Sequence, residues 1–152
     1  MKRKRKTIDM QKILIALAIF AIGYVFVDEA GVTSRPTSES ADAESILEDA
    51  FANRRSDLQV HGSGEVTRVL PDDTEGSRHQ RFILRLQSGQ TLLVAHNIDL
   101  APRVSELSKG DMVEFYGEYE WTEQGGVIHW THHDPQKRHV GGWIKHQGRT
   151  YQ

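Results

Sequence analysis

The chain has 152 residues, no cysteine and a formal net charge of −2. That length accommodates one modest domain with an appendage, and the lack of cysteine excludes disulfides, thiolate zinc sites and cysteine-linked lipid anchors. The charge is uneven. Residues 1–12 carry six basic groups against one acidic, residues 28–57 three against eight, and residues 58–152 ten against twelve. A protein held to phosphates by charge needs a basic surface, so nucleic acid is disfavoured as a partner.

The N-terminal KRKRK leads into ILIALAIFAIGYVFV, an uncharged apolar run over residues 13–27. At ~1.5 Å per residue a helix of that length covers roughly 22 Å of a ~30 Å hydrocarbon core. Lys12 can snorkel to the interface and extend it. The run is read as a transmembrane signal-anchor behind a basic cytoplasmic N-terminus (1–12). A cleaved signal peptide is its rival, although VFVDEAGVTS holds no clean small-x-small cleavage site. The positive-inside rule then sends the remainder across a bacterial inner membrane, giving a single-pass protein with a periplasmic C-terminal domain.

Residues 28–57 read as a polar linker followed by a short amphipathic helix. In AESILEDAFANRR, the residues Ile46, Leu47, Ala50 and Phe51 fall on one helical face, with Ser40 or Asp42 as cap. This helix is expected to dock on the domain.

From Val60 onward the punctuation is that of strands. VHGSGEVTRVL is a glycine-bearing first strand, and RFILRLQSGQTLLVAH is a hairpin turning at Ser88-Gly89. KGDMVEFYGEYEW and GGVIHWTHH supply two more strands, and NIDLAPRVSELS suits a short helix interrupted by Pro102. Five strands with a helix between the third and fourth form the order of the OB-fold, a five-stranded Greek-key barrel. The expected domain over 58–152 is therefore all-β and OB-like. GGWIKHQGRTYQ follows as a terminal hairpin packing Trp143 and Tyr151.

The segments LPDDTEGSRHQRFIL, HNIDLAP, GDMVEFYGEYEW, GGVIHWTHHDP and GGWI resemble those of a family of short bacterial proteins known as domain of unknown function 3465. The resemblance runs over about residues 60–152. It implies no catalytic residues, because the family is itself uncharacterised.

All eight histidines lie in this domain. With Gln87 to Gln90 as the turn, Leu84 faces Leu93, Phe82 faces Ala95 and Arg81 faces His96. Phe82, Leu84, Leu86 and Leu93 then point inward. His79, Arg81, Ile83, Arg85, Leu92, Val94 and His96 point outward, onto the surface OB-folds use as a ligand platform. From this platform Arg81, Ile83, Arg85, Val94 and His96 are the expected ligand contacts.

In GGVIHWTHH a regular strand puts Ile128, Trp130 and His132 on one face and His129, Thr131 and His133 on the other. His129 and His133 would stand ~13 Å apart, and His129 and His132 would diverge unless the strand breaks. A metal site is better assembled across strands, from His79, His96 and either His132 or His133. Asp134 would add an oxygen or act as a base, and Asp99 would approach from NIDLAP. Zinc accepts nitrogen and carboxylate ligands of this kind. His61 and His146 are left out, and His139 is assigned to a solvated loop. Asp72-Asp73 reads as turn chemistry, and Glu114, Tyr116, Glu118 and Glu120 as an acidic solvated face.

Three functions remain open. The leading one is a membrane-tethered periplasmic binding module for a small ligand, peptide or saccharide. The second is a metal-dependent, phosphodiesterase-like hydrolase using the histidines and Asp134. The third is a pH-responsive interaction protein, since histidine titrates near ~6.5.

Overall fold

A computed structural model describes residues 38–152. The apolar run over 13–27 and the polar tether before residue 38 lie outside them. Among the described residues no helix is long and apolar enough to cross a membrane.

Among the described residues the elements are one helix, α1 (Ser38–Ala52), and seven strands. These are β1 (Leu58–Val69), β2 (His79–Arg85), β3 (Thr91–Asn97), β4 (Met112–Glu120), β5 (Val127–His129), β6 (Trp143–His146) and β7 (Arg149–Tyr151). The sheet runs β1-β2-β3-β5-β4, and β4 pairs back onto β1, so five strands close into a barrel. All neighbours are antiparallel except β3 and β5, which are parallel. Closure removes the unpaired edges that such short strands would otherwise expose. The β6–β7 hairpin lies along the first half of β4, on the side whose second half pairs with β5.

Alternation fills the interior. Val60 and Val66 of β1, Phe82 and Leu84 of β2, Val113, Phe115 and Tyr119 of β4, and Ile128 of β5 are all buried. The long β1 serves two neighbours, and its inward glycines make room for them. A Cβ on Gly62 would sit 2.7 Å from Cζ of Phe115, and one on Gly64 would sit 2.9 Å from the Arg85 carbonyl. The glycines of this strand are thus there for close approach, and a bulge between Val66 and Arg68 bends its far end.

The β2–β3 register differs by one residue from the expected one. Phe82 pairs with Val94, Leu84 with Leu92, and Gln80 with His96. The cause is the turn. Leu86 N–H donates to the Gln90 carbonyl at 2.9 Å, leaving three loop residues, the last of them Gly89 with φ of 90°. An odd loop of this type ends in a left-handed glycine, and a one-residue slip turns every side chain of the strand over. Leu92, Val94 and His96 therefore point into the barrel, whereas Leu93 and Ala95 face outward. The inward assignment of Phe82, Leu84 and Leu86 holds.

The helix expected between the third and fourth strands does not form. Residues 98–111 run as turns and extended backbone. The Asn97 side chain accepts from Asp99 N–H at 2.9 Å, and Pro102 has no N–H to give. The buried Gln80 amide takes both backbone groups of Val104, donating to its carbonyl at 3.0 Å and accepting its N–H at 2.9 Å. Those bonds hold Val104 buried against the core.

The α1 helix closes the barrel end that holds the β2–β3 turn. It buries Ala43, Leu47 and Ala50, while Ile46 is 48% and Phe51 37% exposed. The buried stripe is therefore rotated from the one read in the sequence. Two contacts set that rotation. The Glu44 carboxylate accepts the Gln87 and Ser88 N–H groups at 2.9 and 3.1 Å, and the Trp121 indole N–H donates to the Phe51 carbonyl at 3.1 Å.

Candidate functional site

The strand β5 ends at His129, because Trp130 adopts φ of 51°. This left-handed residue reverses the alternation that a continuous strand would impose. Thr131 turns into the barrel and is fully buried, and His132 beside it is 4% exposed. A loop over residues 133–142 follows.

The break gives His96 its partner. The Thr131 hydroxyl donates to Nδ1 of His96 at 2.9 Å, and Nε2–H donates to the Pro102 carbonyl at 3.1 Å. Both ring nitrogens are thus committed inside the protein. Burial lowers the His96 pKa to about 4, and the nearby His132 and His79 push the same way against the opposing hydrogen bonds. His96 is a neutral core residue, which removes it from both the outer ligand platform and the metal set. Val94, also expected on that platform, is fully buried in the core.

Asp134 is likewise committed. Its Oδ1 accepts from Gln136 N–H at 2.9 Å, and its Oδ2 accepts from Arg138 and His139 N–H at 2.8 and 2.9 Å. These backbone bonds, the Gln136 one foremost, hold the carboxyl below its usual pKa despite desolvation. It ties the loop together, with three of its roughly four acceptor sites spent on backbone N–H groups. His133 is exposed. Asp99 is held by the Arg78 backbone and guanidinium, both at 2.7 Å. Arg81 donates to the Pro71 carbonyl and Arg85 pairs with Glu65 at 2.9 Å, so both outward arginines brace neighbouring segments. Ile83 stays half-buried on the outer face.

His79 and His132 do come together. They line a hollow of about 350 Å³ on the outer wall, with Ala95, Asn97, Leu100, Glu118, Glu120, His129 and Trp130. Strand pairing explains the convergence. Glu118 lies opposite His129, Glu120 opposite Val127, and His79 opposite Asn97. Burial lowers the His129 pKa; Glu120 and Glu118 oppose the shift and His79 adds to it. In His79, Nδ1–H donates to the Ser77 carbonyl at 2.8 Å, and in His132 it donates to the His133 carbonyl at 2.9 Å. With Nδ1 donating, Nε2 is the nitrogen that carries the lone pair in the neutral form of either ring.

Trp130 forms one wall. His139 stacks on it with ring centroids 4.0 Å apart and 10° between planes, and His132 lies tilted at 5.3 Å. His139 Nε2 contacts the Glu118 carboxylate at 2.7 Å. Its loop is largely exposed, as expected, but the ring itself packs on Trp130 and Glu118. Burial disfavours its protonation, but the Glu118 hydrogen bond, the Val140 carbonyl and the nearby carboxylates outweigh that and raise its pKa. A second hollow of about 400 Å³ lies against Trp130 and Leu100, walled by Pro135, Arg138 and His139.

Among the described residues, Asp57, Glu118 and Glu120 are the one trio whose potential ligand atoms lie within 4.8 Å of one another. The imidazoles line the hollow without converging to that degree. Glu118, Glu120, His129 and Trp130 were missed as site residues. The signal was present in the outward Glu118-x-Glu120 alternation, but it needed the β4–β5 pairing to place His129 beside it.

The fold and its recess define a class: a small closed β-barrel domain with a histidine- and glutamate-lined hollow on its outer wall. The chain belongs to the family described as "Protein of unknown function (DUF3465)", whose model matches residues 31–152. The match extends N-terminal to the segments that carry the resemblance and takes in α1. A comparison with curated proteins found no match.

Proposed function

We propose that this protein is a membrane-tethered, periplasmic binding module with an OB-like barrel, whose ligand occupies the hollow beside Trp130. The carrying observation is the convergence there of His79, His129, His132, Glu118 and Glu120 from three strands and a loop. The strand order β1-β2-β3-β5-β4-β1 supports the OB-like reading. The basic N-terminus followed by an uncharged apolar run supports the tether. Binding is favoured over hydrolysis, because His96 and Asp134 spend their polar atoms on the protein itself.

The three tryptophans stand in different places, so their indole N–H resonances report on different surfaces. The full chain in detergent is titrated with Zn²⁺, a chito-oligosaccharide and a lysine-containing tripeptide. A ligand of the hollow shifts the Trp130 signal and leaves Trp121 and Trp143 in place. Shifts confined to Trp121 or Trp143, or none with any probe, would overturn this reading.

The His139–Glu118 contact favours pH response as a second property of the same site.

A further inference from the structure

Resting on that reading of the hollow, we infer that its ligand is a borderline divalent cation of the zinc class, taken by His79, His129 and His132 with carboxylate help from Glu118 and Glu120. Four observations carry this.

Two imidazoles are already oriented. His79 and His132 each spend Nδ1–H on a backbone carbonyl, which is the outer bond that commonly fixes the tautomer and direction of a metal-binding histidine. His132 is only 4% exposed, yet it lines the hollow, and among the described residues no hydrogen bond takes its Nε2. That nitrogen is not sealed in the core, so an ion entering the hollow can reach it.

The third imidazole lies in the same wall. His129 is half-buried opposite Glu118, and among the described residues neither of its nitrogens is hydrogen-bonded. Fourth, Glu118 and Glu120, which line the hollow, have carboxylate oxygens within 4.8 Å of one another and of Asp57. Among the described residues only Glu118 of the three has an ion-pair partner, His139. Such a concentration of negative charge attracts a cation.

The donor set selects the class of ion. Imidazole with carboxylate suits zinc, copper and nickel, whereas calcium and magnesium take oxygen ligands. The imidazoles do not converge within 4.8 Å, so capture brings His129 and the carboxylates toward the held rings of His79 and His132.

The test is Zn²⁺ binding to the full chain by competition with a chromophoric chelator, alongside ¹⁵N spectra of the histidine rings. We expect one equivalent bound, with Nε2 of His79 and His132 shifted on titration. His79→Ala, His129→Ala and His132→Gln should each weaken binding at least about tenfold, and His133→Ala should leave it unchanged. His129→Ala and His79→Ala keep the test open where His132→Gln impairs folding. Three results would overturn the inference: no binding, binding indifferent to the three histidines, or binding lost only in Asp57→Asn and Glu120→Gln with Ca²⁺ competing. Absence of zinc binding together with a Trp130 shift by the saccharide or peptide would sink the metal and spare the binding module. No response to any probe would sink both.

Discussion

His96 and Thr131 meet inside the barrel, 2.9 Å apart, although one belongs to a strand and the other to a loop beyond a neighbouring strand. Their bond depends on the left-handed Trp130 that ends β5, and it holds a neutral imidazole in the core. Replacing Thr131 by valine keeps the shape and strips the donor from a buried nitrogen. The expected loss is about 1–3 kcal/mol, measured by denaturant unfolding.

The same histidine makes the domain acid-sensitive. Its pKa falls from 6.5 to about 4 on folding, so the unfolded chain binds the extra proton between those values. Stability contributed by the neutral ring is complete above about 6.5 and is lost as pH falls toward 4, by about 3 kcal/mol in all. His96→Gln should flatten the decline in midpoint between pH 6.5 and 4. An unchanged pH profile in that variant would contradict the assignment.

The His139–Glu118 contact works in the opposite direction. The folded pKa of His139 is raised, so its contribution is full below the unfolded value and fades as pH rises through the folded one. Glu118→Gln should lower the His139 titration midpoint seen by NMR and loosen the ring stack on Trp130. The pH response of Trp130 fluorescence should move to lower pH with that midpoint.

Asp134 organises the loop by accepting three backbone N–H groups. In Asp134→Ala those amides lose their acceptor, and hydrogen exchange at Gln136, Arg138 and His139 should quicken while β1–β4 amides keep their protection. Equal loss of protection throughout would mean that the loop and barrel open as one unit.

Gly62 lies under the Phe115 ring, and an added Cβ would stand 2.7 Å from Cζ. Gly62→Ala should cost about 1–3 kcal/mol by overpacking. Gly76, whose Cβ position meets nothing within 4 Å, has φ of 73°; Gly76→Asn, which tolerates that backbone, is the near-neutral comparison.

Much of the architecture was legible as alternation. Phe82, Leu84, Val113, Phe115, Tyr119 and Ile128 occupy every second position in their segments, and those positions form the core. Gly-bearing turns marked the strand ends. The helix docked as expected, but Glu44 and Trp121 chose which stripe it buries. Of the expected metal residues, His79 and His132 share a hollow, whereas His96, His133 and Asp134 do not line it. Each departure has a local cause. A three-residue turn shifted β3 by one position, and a left-handed Trp130 broke β5.

By itself, then, the sequence determined the strand count, the inward residues of β2 and β4, and the gathering of histidines in one domain. These follow from side-chain period and turn chemistry, which act over a few neighbours. Only the tertiary structure decided which histidines are free. Register is set by loop length and by the pairing of β5 between β3 and β4, and a single residue of slip carried His96 from the surface into the core. Partners distant in the chain, Thr131 and Pro102 for His96 and Glu118 for His139, then committed some rings, while His79 and His132, which line the hollow, bond only through Nδ1.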